Sequence, residues 1–161
     1  MRSSSHQLCN LKLTIYVALL SQGSVWTKLW TSGFYNGTWA TEKLIKAHGQ
    51  HTIYVPSIKA GKYLVRSEII ALHESDQAYS KNPQRGAQIY PSCVQIEVTR
   101  NGLKNLSLPG GTSFPGSYTD SSSGIVFNIY GGGPDPKTYK APGPAVWSNG
   151  VGGYIGQVRA V

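Results

Sequence analysis

Two long runs of alternating side chains constrain the fold of this chain more than any other feature of its sequence. In residues 63–73 the odd positions share one face and the even positions share the other. Neither face is purely polar, which is typical of a strand inside a two-layer sandwich. Residues 88–99 alternate in the same way, with Val94, Ile96 and Val98 on one side. The two runs therefore predict strands of an all-β protein.

The rest of the chain supports one loop-rich β domain. Its 161 residues fit a single domain, and only 14% of them are charged, whereas glycine (19) and tyrosine (10) are frequent. Residues 51–55 and 125–130 predict further strands, and residues 41–45 predict a helical turn. We expect an uncertain segment over 1–15, the domain over 16–147, and a poorly packed Gly-rich tail over 148–161.

The basic balance of the sequence does not indicate a nucleic-acid partner. Lys and Arg exceed Asp and Glu by eight, but no two basic residues are adjacent, so nucleic-acid binding is not expected. The apolar stretch 13–20 is too short to span a membrane, and we expect no membrane partner. It imitates a short signal peptide and also fits a buried strand, of which the strand is favoured.

Four residues carry weaker signals of an exported protein. Cys9 and Cys93 could form one disulfide, although two cysteines are a weak indication of an oxidising compartment. Asn36 and Asn105 each begin an Asn-x-Ser/Thr sequence, which makes them glycosylation candidates. Each such sequence also occurs by chance in cytosolic proteins.

Three polar side chains are predicted to meet at one edge of the sandwich. If residues 63–73 and 88–99 form an antiparallel hairpin, the end of the first strand lies beside the start of the second. His73, Gln88 and Tyr90 then gather at a loop-bearing edge, where functional residues are commonly placed. On spacing alone, a histidine that closes a strand is more often structural than functional.

Five ordered motifs resemble one enzyme family. The run 63–73 followed by 86–93 (Gly-Ala-Gln-Ile-Tyr-Pro-Ser-Cys) is similar to the most recognisable motif of auxiliary-activity family nine, the fungal cellulose-active lytic polysaccharide monooxygenases. Residues 37–45, then 115–118 with 124–130, and then 139–146 agree in order, and the resemblance covers residues 16–147. It identifies the chain as the C-terminal part of such a protein.

The resemblance implies an immunoglobulin-like antiparallel β-sandwich that holds one copper ion and lies on cellulose. The family oxidises β-1,4-glucan at C1 or C4, with an external electron donor and O2 or H2O2. We therefore expect a secreted monomer whose partner is cellulose or a related glucan. Three nitrogen ligands and a distant axial oxygen suit Cu(II).

The resemblance also gives roles to particular residues. Tyr90 matches the axial copper ligand, while His73 and Gln88 match the pair that hydrogen-bonds the oxygen species. Tyr139 matches a tyrosine that stacks on a glucose ring, although a plain loop aromatic is the alternative. Cys93 matches a half-cystine whose partner lies far upstream, and its pairing with Cys9 is uncertain.

The sequence departs from the family at the copper ligands. The family's N-terminal histidine has no counterpart after Met1, and His6 is the candidate for the second histidine or else a terminal residue without a role. We interpret His48 and His51 as ordinary loop and strand residues. The chain is therefore expected to lack part of the N-terminal portion and to be inactive as it stands. The alternative is a copper-free polysaccharide-binding β-sandwich.

A glycoside hydrolase is not supported by the sequence. Retaining and inverting hydrolysis both need two facing carboxylates. The chain has seven acidic residues, and none belongs to the group formed by His73, Gln88 and Tyr90.

Overall fold

The main element of the structure is a four-stranded antiparallel sheet. The structure is a computed structural model and describes residues 11–19 and 22–156. The strands of this sheet are β1 (Leu11–Ala18), β2 (Thr27–Ser32), β6 (Gly61–Ala71) and β7 (Gln88–Val98). The strand order is β2-β1-β6-β7, so β1 and β6 are central.

Smaller elements cover the two faces of this sheet. They are β3 (Phe34–Tyr35), β4 (Thr38–Trp39), α1 (Ala40–Lys46), β5 (His51–Ile53), β8 (Gly153–Ile155) and a short 3-10 helix, Pro136–Thr138. β3 pairs with β4, and β5 pairs with β8. None of the helices in the described ranges is both long and apolar enough to cross a membrane.

The two faces of the sheet bury separate parts of the core. Face A carries the odd residues of β6, such as Tyr63 and Val65, which pack with Val17, Leu29 and Ile58. Face B carries the even residues of β6. Its apolar side chains pack into two clusters, one that contains Leu64, Tyr16 and Trp26 and one that contains Ile70, Leu72 and Trp39.

Most of the predicted strands are confirmed, and one is wrong. The runs 63–73 and 88–99 form β6 and β7, which pair antiparallel, residues 41–45 lie within α1, and the apolar stretch 13–20 contributes to β1. Residues 125–130 were predicted as a strand, but they contain no strand. The Ile125 side chain is buried and that of Phe127 is half-buried, yet the Ile125 N–H bonds to the Ser122 carbonyl in a turn.

Both ends of the described chain are better packed than the sequence predicts. β1 begins at Leu11, inside the segment that the sequence left uncertain. The expected poorly packed tail contributes β8, which pairs with β5 from His51↔Ile155 to Ile53↔Gly153. Gly153 is required there because a Cβ would lie 2.5 Å from the Thr52 carbonyl oxygen and 3.1 Å from the Trp30 ring.

The outer strand β7 is exposed on both faces. Of its eleven residues, nine are exposed, including the apolar Ile89 and Val94, and the latter is 58% exposed. Its partner β6 lies on one side only, so the other edge of β7 is open within the described residues. Edge strands of this length are usually covered in soluble proteins.

A buried polar network crosses face B. Glu68 is 0% exposed and accepts hydrogen bonds from Arg66 Nε (2.7 Å) and from the Tyr118 hydroxyl (2.6 Å). The Tyr118 proton is used there, so the Tyr16 hydroxyl, 2.9 Å away, donates to Tyr118. Burial raises the pKa of Tyr16 to about 12, and burial together with the neighbouring Tyr16 and Glu68 raises that of Tyr118 further.

Lys28 extends this network to the Pro-Gly-Pro motif at 142–144. Its ammonium donates to the Pro142 carbonyl at 2.7 Å, and the side chain is buried. Gly143 leaves room for the network, because a Cβ there would lie 2.5 Å from the Tyr16 hydroxyl oxygen. Burial lowers the pKa of Lys28 to about 8, against a smaller opposing effect of Glu68. The Pro-Gly-Pro motif therefore packs directly against the buried ammonium of Lys28 and the hydroxyl of Tyr16.

These groups predict an unusual pH dependence of stability. The Lys28 pKa falls from 10.5 unfolded to about 8 folded, so above pH 8 the unfolded state binds more protons and stability rises. From pH 7 to 9 we expect a gain of roughly 1 kcal/mol in the free energy of unfolding. Above pH 10 the gain reverses, because folded Tyr16 keeps its proton up to about pH 12. Urea denaturation at each pH measures this, and Lys28→Met should remove the rise; a flat profile from pH 7 to 9 in the unsubstituted chain would contradict the assignment.

Candidate functional site

Gln88 and Tyr90 form a hydrogen-bonded pair at the exposed start of β7. Gln88 pairs with Ala71 and Tyr90 pairs with Ile69, so both side chains lie on face A. The Tyr90 hydroxyl donates to Gln88 Oε1 at 2.5 Å. The Tyr90 side chain is 55% exposed, which leaves its oxygen accessible from solvent. The regular strand thus orients both side chains, as their spacing predicted.

His73 lies at the same end of the sheet but outside the ladder. It follows Ala71, the last residue of β6, by two positions, and Ala71 is the partner of Gln88. The His73 carbonyl accepts a hydrogen bond from the Tyr130 hydroxyl at 3.0 Å. The His73 side chain is half-buried, and its ring makes no hydrogen bond to any of the described residues. A common site for the three residues stays a prediction.

The loop between His73 and Gln88 is closed by one arginine. Arg85 contacts Glu74 Oε2 at 2.8 Å and Asp76 through two of its nitrogens. The Gly86 N–H donates to the Glu74 carbonyl at 2.6 Å. The Arg85 guanidinium holds the pKa of the Asp76 carboxyl below its usual value. These contacts hold the two strand ends together.

Tyr139 does not occupy the exposed position that was predicted for it. Its ring packs edge-on against Trp39 and Phe127, at centroid distances of 5.4 and 5.0 Å. Its hydroxyl donates to the Gly124 carbonyl at 3.1 Å, and burial raises its pKa above the usual value. This cluster packs with Ile70 on face B, whereas Tyr90 lies on face A. The expectation that Tyr139 is exposed is wrong, because its half-buried ring fills an aromatic cluster, while its stacking on a glucose ring stays a prediction.

The remaining candidates fall outside the site or outside the described residues. His6 and Cys9 precede residue 11 and are not described. Cys93 is exposed on β7 and has no disulfide partner among the described residues, so its pairing with Cys9 stays a prediction. Asn36 and Asn105 are both exposed at turns with positive φ (50° and 47°), where a glycan would find room, and their modification stays a prediction.

The described side chains do not by themselves provide a copper site. No group of three or more His, Cys, Asp or Glu residues in residues 11–19 and 22–156 is arranged to hold a metal ion. Tyr90 offers one phenol oxygen, and its proton is directed to Gln88. A copper site of the family's type needs three nitrogen ligands in addition. The donor set of the described residues therefore does not by itself fit a copper ion.

The sequence did not predict the buried polar network or the contact of Tyr130 with the His73 carbonyl. Arg66 and Glu68 are two residues apart in β6, so they share a face, and that spacing could have indicated a buried ion pair. The contact of Tyr130 with the His73 carbonyl has no comparable signal. It depends on how residues 125–130 pack, which the sequence predicted incorrectly.

Comparison with curated proteins gives close relatives. Residues 13–139 match the family model of Auxiliary Activity family 9 (formerly GH61). An AA9 family lytic polysaccharide monooxygenase A of Armillaria gallica is 50% identical over 149 residues, which cover 91% of this chain and 59% of that protein. A protein of the same description from Schizophyllum commune is 52% identical over 136 residues, covering 83% and 55%. The chain thus spans little more than half the length of these relatives.

Solved structures give the same result for the fold. CvAA9A aligns with a TM-score of 0.77 and 37% identity over 87% of this chain and 64% of its own. The extended catalytic domain of H. jecorina LPMO9A aligns with a TM-score of 0.73 and 29% identity, over 87% and 57%. The antiparallel β-sandwich that the sequence predicts is confirmed.

The architecture and these likenesses define a β-sandwich domain of the lytic polysaccharide monooxygenase type. The chain belongs to Auxiliary Activity family 9.

Proposed function

We propose that this chain carries part of the active site of a copper-dependent monooxygenase that cleaves the β-1,4-glucan chains of cellulose by oxidation at C1 or C4. The observation that carries the proposal is the Gln88–Tyr90 pair, which is exposed at a sheet edge in a chain 50% identical to a lytic polysaccharide monooxygenase. An external electron donor with O2 or H2O2 is the implied partner. Secretion, and a monomeric state, follow from the same resemblance.

The geometry supports particular roles for the pair. The Tyr90 hydroxyl donates its hydrogen bond to Gln88 Oε1, so the lone pairs of the phenol oxygen remain available as acceptors on the solvent side. The amide NH2 of Gln88 remains available as a donor, so it can orient an oxygen-containing species near that phenol. A neutral amide does this without adding charge, whereas a carboxylate would add a negative charge. His73, at the neighbouring strand end, can hold or deliver a proton.

The test uses a form that is lengthened at its N-terminus so that it begins with histidine, which supplies an amino nitrogen and an imidazole nitrogen for copper. On phosphoric-acid-swollen cellulose with ascorbate and copper, we expect oxidised oligosaccharides from this form. Gln88→Ala should lower the rate by about tenfold to a hundredfold, the usual range for residues that orient metal ligands. Gln95→Ala, an exposed glutamine on the same strand, is the matched control. Equal rates for Gln88→Ala and Gln95→Ala would contradict the role of Gln88.

The second candidate is a copper-free polysaccharide-binding β-sandwich. It is favoured by the lack of a three-ligand group among the described residues. Cellulose binding without oxidised products from the extended form would support it.

A further inference from the structure

Two tyrosines, one exposed and one half-buried, form an aromatic pair on the small β5–β8 sheet. Tyr54 directly follows β5 and Tyr154 lies in β8; their ring centroids are 6.2 Å apart, and the planes are inclined by 45°. The backbone joins them, since the Tyr54 N–H donates to the Gly152 carbonyl at 3.0 Å. Tyr54 is 53% exposed. The pair is therefore fixed by the backbone while part of its aromatic surface remains open.

Both rings point away from the core. The alternate residue Ile53 packs against the face A cluster, and a Cβ on Gly153 would meet the Trp30 ring. Side chains alternate along a strand, so Tyr54 and Tyr154 occupy the outer side of the β5–β8 pair. The outer surfaces of the two rings therefore do not contribute to the core on this side of the sheet.

Aliphatic and polar groups extend the surface beyond the tyrosines. Val55 and Val151 are both exposed, next to the pair in sequence. Val151 also lines a cleft of about 220 Å³, in which Ser57 and Asn149 offer hydroxyl and amide groups. Aromatic faces beside hydroxyl and amide groups suit a ligand that has both C–H faces and hydroxyls.

The surface carries little charge. Residues 49–57 and 148–156 contain no Lys, Arg, Asp or Glu, although the chain as a whole has a net charge of +8. Lys104 at the cleft is the charged residue that lines it. A polyanion would gain little electrostatic attraction from such a surface. An uncharged polymer does not depend on that attraction for its binding.

We infer that Tyr54, Tyr154 and the adjoining cleft form a glucan-binding surface, separate from the Gln88–Tyr90 pair. The inference rests on the proposed function for its ligand, an uncharged β-glucan chain. The two tyrosines stack on sugar rings, and Ser57 and Asn149 bond to hydroxyls of the same chain. This surface adds affinity for the polymer without taking part in its oxidation.

The test is binding of the 161-residue chain to phosphoric-acid-swollen cellulose and to cellohexaose. Tyr54→Ala and Tyr154→Ala should each weaken binding by about fivefold, as expected for the loss of one aromatic contact, and the double variant should lose more. Tyr54→Phe keeps the ring and should retain most of the affinity. Tyr35→Ala, which removes a 67% exposed tyrosine of β3, is the matched control and should change nothing. Thermal melts of each variant report folding.

The outcomes separate this inference from the proposed function. If binding depends on the tyrosines but the extended form releases no oxidised products, the inference is supported and the proposed function is wrong. If oxidised products form but the tyrosine variants bind as well as the unsubstituted chain, the inference is wrong and the proposed function stands. A folded chain that binds neither cellulose nor cellohexaose also overturns the inference.

Discussion

Glu68→Ala should lower the free energy of unfolding by about 3 to 5 kcal/mol, the usual cost of breaking a buried ion pair from one side. Glu68 is wholly buried and joins Arg66 to the Tyr118 hydroxyl. Its removal leaves the largely buried Arg66 guanidinium without its partner and opens a cavity at the Tyr16–Tyr118 contact. Urea denaturation monitored by tryptophan fluorescence measures the change.

A surface pair gives the matched control. Glu74 also pairs with an arginine, Arg85, but each of those side chains is 32% exposed, so Glu74→Ala should cost under about 1 kcal/mol. Replacing both members of the buried pair, as Arg66→Met with Glu68→Leu, should recover much of the loss because no unpaired charge remains. Equal losses for Glu68→Ala and Glu74→Ala would show that burial does not determine the strength of the Arg66–Glu68 pair.

The 161-residue chain should bind copper at least about a hundredfold more weakly than the form extended to begin with histidine, and should release no oxidised oligosaccharides. The physical reason is the donor set: the described residues present the Tyr90 phenol but no cluster of three ligands. Calorimetric copper titration and product analysis on cellulose measure both effects.

Tight copper binding by the short chain would contradict this expectation. The responsible group could then be located with His6→Ala, since His6 lies outside the described residues, and with His73→Ala. Loss of copper binding in the first variant alone would identify His6 as a ligand and restore the assignment that the sequence suggested.

The fold could be predicted best where the backbone pairs along a whole strand. β6 and β7 both alternate in sequence and are paired along their whole length, and the predicted runs match their bounds within two residues. Residues 125–130 also alternate, with Ile125 buried and Phe127 half-buried, but their backbone bonds go to turns and to Ser75. Alternation therefore does not by itself distinguish a ladder from a packed loop.

The candidate site could be predicted only as far as a regular strand orients it. Gln88 and Tyr90 are two residues apart in β7, and strand geometry alone brings them together. The His73 ring lies past the end of the ladder, where the 14 intervening residues determine its position. The exposure of Tyr139 was predicted incorrectly because a tyrosine, with an apolar ring and a polar hydroxyl, fits both an exposed surface and an aromatic cluster. The sequence alone does not distinguish these two positions.

The exposure of β7 has a consequence for the behaviour of the chain in solution. Pro91 lacks an N–H, so it suits a position whose backbone points away from β6, toward the open edge. The same alternation turns the N–H groups of Cys93, Gln95 and Glu97 outward, while the edge near Tyr90 is interrupted by the proline. Growth of a cross-β stack from this edge would therefore have to begin in the second half of the strand, where the charge of Glu97 opposes the stacking of identical chains.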